Sequence, residues 1–261
     1  MPKICSLFSG SSGNSIYIEN KSDAILIDAG VSAKRLLGAL NEKNLDVEKI
    51  RAVFVTHEHS DHIKGISVFC KKHSIPVYLT GGTLSAMQEE EKVSSAVDYR
   101  VLSGETDMGS IGVSYFHTSH DAKESCGYVL DLGHQKVGVS TALGIVTDAV
   151  HDALLGCKTV VIESNHDPNM LQNNSMYTFP LKRRIMSEYG HLSNGACAEE
   201  VKKLVDGGAQ RILLAHLSRE NNLPMLAKES TRSMLLIGGL KEGSDYLLSV
   251  CAPQNNDLLI I

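Results

Sequence analysis

The sequence predicts an α/β fold in which sheets are covered by helices. Two observations carry this. Short β-branched, apolar runs alternate with helical periodicities along nearly the whole chain, without a linker between them. The earliest runs are spaced as hairpins, whereas later ones are separated by helix-length segments, the pattern of βα units. Strands are expected at 4–8, 15–19, 24–28, 51–55, 77–80, 112–117, 127–131, 136–140, 159–163 and 211–215. Helices are expected at 32–41, 63–72, about 83–91, 146–155, 181–189, 195–205 and 224–230. Glu89–Glu91 reads as a solvated helix face. The asparagine-rich stretch 164–179 fits neither period and is expected to be a functional loop or lid.

Length and composition set the frame. The chain has 261 residues, 43% hydrophobic and 21% charged, which is ordinary globular composition. A single domain, 1–261, is expected. AILIDAG (24–30) resembles VGVSTALG (137–144), and RAVFVTH (51–57) resembles RILLAH (211–216). Two βα halves, about 1–130 and 131–261, follow from that similarity. The net charge of −5 excludes a global basic signal for nucleic acid, so a polyanion must be met by local charge or by metal. Six scattered cysteines without a C-x-x-C read as reduced thiols. No apolar run approaches a membrane span, and the N-terminus lacks a signal-peptide core. A cytoplasmic location without membrane contact is expected.

The chemistry concentrates in RAVFVTHEHSDHIKG (51–65). A strand ends there in His57, His59, Asp61 and His62, four candidate ligands within six positions. In extended backbone, residues two apart point the same way, so His57 and His59 face one ion. Asp61 and His62 fall past the bend and face a second. Imidazole with carboxylate suits zinc, manganese or iron better than magnesium or calcium. His120 and His216 each follow a strand and are expected ligands. His117 competes with His120, but strand alternation is expected to bury it. His191 opens HLSNGA, a turn into a helix, and is expected to act in catalysis or contact phosphate. The role of His166 stays open, and His73, His134 and His151 read as surface residues.

These residues resemble a metallo-β-lactamase-fold hydrolase, with H-x-H-x-D-H as its central motif. Asp28 in ILIDAG matches the superfamily's first motif, a buried aspartate supporting the metal loop. His120 matches the third motif and His216 the fifth. More narrowly, SLFSGSSGNS, THEHSDHIKGI, TSHDAKESCGY, ESNHDPNML, LKRRIMSEYGHLSN and LAHLSRENNLP resemble the WalJ/YycJ family, and HLSN is similar to the RNase Z and RNase J branch. The resemblance implies a four-layer αββα sandwich with a dinuclear site at the edge of the two sheets. It also implies a 5′-to-3′ exodeoxyribonuclease acting on DNA ends.

The chain departs from the family at one position. The superfamily places a bridging aspartate in a Thr-Asp-x-Gly turn, where this chain has Thr141-Ala142-Leu143-Gly144. Asp148 lies in an expected helix and cannot take its place. Ala142 reads as an introduced inactivating change or as a natural variant with a weakened or single-metal site. The first reading is preferred because every other motif is intact.

On this resemblance His57, His59 and His120 would hold one ion, and Asp61, His62 and His216 the other. The bridge expected at position 142 would span the two at roughly 3.5–4 Å, and a hydroxide between them would attack phosphorus. Asp61, His191 and Glu163 are the catalytic candidates: His191 protonates the leaving 3′-oxygen and Glu163 orients it. Lys182, Arg183, Arg184 and Arg219 would meet the DNA backbone. Ser193 and Asn194 would hold a terminal phosphate at a helix N-terminus. A lactam, thioester or lactone hydrolase and an inactive binding variant are the alternatives. A di-iron redox role is disfavoured, because that branch usually has glutamate where this chain has His59. With no tryptophan in the chain, base stacking is not expected to dominate.

Overall fold

In β3 (Asp23–Ile27), Ala24 and Leu26 pack with one hydrophobic cluster, and Ile25 and Ile27 with another. Such two-sided burial requires layers on both faces of the sheet. The computed structural model, which describes residues 1–254 and 256–261, supplies them. β14 (Leu259–Ile260), β1 (Lys3–Phe8), β2 (Ser15–Asn20), β3, β4 (Ile50–Phe54), β5 (Val77–Leu79) and β6 (Tyr99–Val101) form one seven-stranded sheet, in that order. The second sheet has the order β13 (Leu247–Val250), β12 (Arg211–Ala215), β11 (Thr159–Glu163), β10 (Lys136–Ser140), β9 (Cys126–Asp131), β8 (Gly112–His117) and β7 (Thr106–Asp107). The chain changes sheets between Val101 and Thr106, ahead of the division near residue 130 that internal similarity suggested.

The fold is an αββα sandwich. Ile18, Ile25, Phe54, Tyr128, Val139, Val161 and Leu213 fill the space between the sheets. α1 (Ala33–Glu42), α3 (Ile66–His73) and α4 (Gly81–Glu89) cover the first sheet through Leu36, Leu40, Phe69 and Met87. α5 (Asp148–Leu154), α8 (Asn194–Asp206) and α9 (Pro224–Ile237) cover the second through Leu154, Val201, Leu204 and Leu235. All six cysteines are buried and unpaired. Among the described residues, no helix is long and apolar enough to cross a membrane.

The ten expected strands are present, with ends shifted by one residue at most. β6, β7, β13 and β14 escaped expectation. They are short, and β6 and β7 bury no residue, so pairing with a neighbouring strand defines them. α9 runs to Ile237 and not to residue 230, because Ala227, Thr231 and Leu235 continue one buried face. The 164–179 stretch holds one short helix, α6 (Pro168–Asn173), capped by Asp167.

Candidate metal centre

β3, β4, β10, β11 and β12 end at one rim, and the parallel pairs β3–β4, β10–β11 and β11–β12 bring their carboxyl ends together. Loops following such ends are where open α/β sheets build binding sites. The cleft there has a volume of ≈ 240 Å³ and is lined by His57, His59, Asp61, His62, His120, Asp121, Tyr177, Arg184, His191 and His216, among others.

The backbone after β4 stays extended to His59, then turns into α2 (Ser60–Ile63). The extended part aims His57 Nε2 and His59 Nδ1 at one point, 3.1 Å apart. His120 joins them, so all three ligand atoms lie within 4.8 Å of one another. The turn carries Asp61 and His62 to His216, a second group with the same spacing. The His57 and His62 rings are 4.0 Å apart, centroid to centroid, so the two groups adjoin.

His57, His62, His120 and His216 are each oriented from behind. Asp28 accepts the N–H and hydroxyl of Thr56 and, at 2.7 Å, the Nδ1–H of His62. With its hydroxyl proton given to Asp28, Thr56 accepts from His57 Nδ1 at 3.0 Å. His120 donates Nδ1–H to the Gly190 carbonyl at 2.9 Å. These bonds leave Nε2 of His57, His62 and His120 as the nitrogen that could face a metal. Asp28 and His216 both have left-handed backbone, φ 62° and 55°. Histidine and aspartate tolerate that region better than most residues. At His216 it is held by Ser9 Oγ on the N–H and Asn165 Nδ2 on the carbonyl. Gly30 packs so closely that a Cβ there would meet the Asp61 carbonyl at 1.6 Å. Only glycine lets the Asp28 loop lie against the metal loop.

Glu163 is fully buried at the end of β11. Its Oε1 accepts Nδ1–H from His216 at 2.6 Å and from His191 at 2.8 Å. Its Oε2 accepts the N–H groups of Leu143 and Leu192. Glu163, His191 and His216 also satisfy a metal-like spacing. Their contacts have hydrogen-bond lengths, however, and the carboxylate is fully occupied, so this group positions two imidazoles.

The electrostatics fit divalent cations. Burial holds His57 far below its ordinary range, and neighbouring imidazoles add to that. Burial and His191 bring His120 down to about 4. These rings are therefore neutral, the form that binds metal. In the second group burial opposes charge on His62, but Asp28 and Asp61 outweigh it and raise the ring to about 9. His216 is raised to about 10, with burial outweighed by Asp61 and Glu163. Carboxylates that draw protons onto two buried rings mark a place demanding positive charge. Three neutral imidazoles beside two imidazoles and a carboxylate form a donor set suited to zinc, manganese or iron.

The six expected ligands and His191 all line this one cleft, with Glu163 directly behind His191. Ala142 is buried in the turn after β10, one residue before the N–H that Glu163 accepts, and brings no oxygen there. In five places the structure departs from expectation. Asn194 is buried, bonded to Ser164 and Asn222, and has no face for a phosphate. Ser193 caps α8 by accepting the Ala196 N–H, so its hydroxyl already has a partner within the chain. Of the basic residues, only Arg184 lines the cleft. Lys182 on α7 (Phe179–Ile185) donates to the Gln172 carbonyl, Arg183 is exposed outside the cleft, and Arg219 donates to Ser12. His117 is exposed, because the alternation of β8 turns Phe116 inward instead. His151, expected at the surface, is half-buried and bonded to Glu200 at 2.6 Å.

Three contributors were missed. Asn14 donates to Asp61 Oδ2 and contacts His62 Nε2, each at 3.1 Å. Asp121 faces His120 and also pairs with Arg184. Tyr177 also lines the cleft. The small-residue run GSSGNS was a signal for Asn14, and adjacency to His120 for Asp121. Tyr177 carried none. His166 is buried with Nδ1 unpartnered, and burial holds it down at about 4.

The pattern of the Beta-lactamase superfamily domain matches residues 23–217. The chain belongs to the metallo-β-lactamase superfamily. Within this superfamily, it is 34% identical over 256 residues to the Exodeoxyribonuclease YycJ of Bacillus anthracis, covering 95% of this chain and 94% of that one. It is 35% identical over 252 residues to the Exodeoxyribonuclease WalJ of Streptococcus pneumoniae, covering 95% and 93%. This superfamily member shares its fold with the metallo-beta-lactamase fold protein YhfI of Bacillus subtilis, at a TM-score of 0.72, 14% identity and full coverage of both chains.

Proposed function

We propose that this chain is a metal-dependent exodeoxyribonuclease that removes nucleotides from the 5′ end of DNA in the cytoplasm. One observation carries the reading: two adjoining three-ligand groups share a cleft with a His191–Glu163 pair at 2.8 Å. The names of the relatives matched along 95% of the chain support the substrate class. A lactam or thioester hydrolase has less use for a carboxylate-oriented imidazole aimed at a leaving oxygen.

His57, His59 and His120 would hold one ion, and Asp61, His62 and His216 the other. When bound, zinc, manganese or iron supplies Lewis acidity that activates water and neutralises charge on the phosphate oxygens. Glu163 takes the Nδ1–H of His191, leaving Nε2 to carry the proton that moves. As water oxygen bonds to phosphorus, the P–O3′ bond breaks and that proton passes to the leaving 3′-oxygen. Among the described residues Arg184 is the one lysine or arginine lining the cleft, and it meets the phosphate backbone. Ala142 deprives the second ion of its expected bridge, and the form with alanine is impaired.

The test is a duplex labelled differently at each end, incubated with the chain as given and with Ala142→Asp, in manganese or zinc. Nucleotide release from the 5′ end by Ala142→Asp, with little by the unmodified chain, is the expected result. Equal activity of both would remove the role of position 142. Inactivity of both on nucleic acid, with hydrolysis of a lactone or thioester, would overturn the reading.

A further inference from the structure

We propose that Asp121 supplies the three-histidine ion with the carboxylate that position 142 lacks. This rests on the reading of His57, His59 and His120 as an ion site. Three neutral imidazoles leave the charge of a divalent ion uncompensated, and the other carboxylates near the cleft are either committed or outside its lining. Asp28 is taken by Thr56 and His62, and Glu163 by four N–H donors. Glu58 is not part of the cleft lining, and its Oε1 accepts the Lys123 N–H at 2.7 Å. Asp61 belongs to the second group, with Oδ2 3.5 Å from His62 Nε2 and 3.8 Å from His216 Nε2.

Asp121 remains, and it is the other carboxylate lining the cleft. Its Oδ1 stands 3.4 Å from His120 Nε2, the nitrogen that Gly190 leaves free for metal, and 4.0 Å from His59 Nε2. Two ligands on one tetrahedral ion, with bonds of about 2.0–2.1 Å, lie roughly 3.4 Å apart. A charge-assisted hydrogen bond would be shorter, about 2.7–2.9 Å. Its Oδ2 pairs with Arg184, whose side chain is largely exposed. Such a pair holds its partner weakly, so it places Asp121 beside the histidines without withholding it from an ion.

Cobalt(II) titration, followed by visible absorption and by competition with a chromophoric chelator, tests the assignment without an activity assay. In the unmodified chain, Asp121→Asn should weaken the tighter cobalt site by more than about 100-fold, beyond the roughly 10–100-fold cost of losing an outer partner. In the Ala142→Asp background the same change should weaken that site by less than about 10-fold. Arg184→Ala should retain cobalt, which separates ligation from the anchoring of α7. An undiminished affinity in Asp121→Asn, an equal loss in both backgrounds, or an equal loss in Arg184→Ala would overturn the role of Asp121. Failure of the unmodified chain to bind cobalt would instead overturn the ion site itself.

Discussion

His191 Nδ1 lies 2.8 Å from the buried carboxylate of Glu163. That contact assigns the proton to Nδ1 in the neutral ring and leaves Nε2 as the atom that can gain and give a second one. His191→Ala in an Ala142→Asp background should leave metal content intact and slow cleavage by roughly 10²–10⁴. A substrate with a better leaving group should recover much of that loss. A fall in metal content would make His191 a ligand.

Glu163→Gln puts an amide N–H donor against rings that themselves donate. Because Glu163 orients both His191 and His216, the change should touch two functions at once. The Asp61/His62/His216 ion should bind about 10–100-fold more weakly, and cleavage should fall further than in His191→Ala. Metal titration beside single-turnover kinetics checks both, and an unaltered second ion would remove the link through His216.

Metal stoichiometry should depend on residue 142. The chain as given should hold one ion tightly, in the three-histidine group, with the second partly occupied or absent. Ala142→Asp should raise the count toward two, measured by elemental analysis after exhaustive dialysis. Two ions at full occupancy in the unmodified chain would show that the other ligands suffice.

Acid sensitivity should be traceable to Glu19 on β2. Burial opposes ionisation there, but hydrogen bonds from Tyr17, Lys49 and Lys3, at 2.6, 2.9 and 3.2 Å, outweigh it and lower the carboxyl below its ordinary value of 4.5. A depressed folded value means stabilisation that is present above the unfolded pKa and lost as pH falls through the folded one. Glu19→Gln should therefore cost roughly 1–3 kcal/mol at pH 7, or about 2–4 °C in Tm per kcal/mol. The difference from the parent should shrink below about pH 4. A constant difference down to pH 2 would mean packing, not charge, is lost.

Much of the candidate site was legible because one short segment carries it. A strand ending in His57-Glu58-His59-Ser60-Asp61-His62 states both the candidate ligand types and, through the two-residue period of extended backbone, their division into two groups. His120, His191 and His216 followed from their places after strands or before a helix. The central strands were legible from their apolar runs, whereas β6 and β7 were not, since neither has a buried residue to mark it.

The sequence by itself determined sheets covered by helices and the set of candidate ligands, and its resemblance to a known family marked the side-chain oxygen absent at position 142. Each is written in local residue order, in periodicity or in a side chain that is simply absent. Tertiary structure decided which polar residues face the cleft. Asn194 and Ser193 sit beside His191 in sequence, yet one is sealed in a buried amide network and the other spends its hydroxyl on a helix end. Asn14 and Asp61 are 47 positions apart, yet they meet at 3.1 Å. A side chain's partners across the sandwich depend on sheet order and loop packing, which bring distant strand ends to one rim. That long-range arrangement, absent from any local pattern, also set Arg184 and not Lys182 at the cleft.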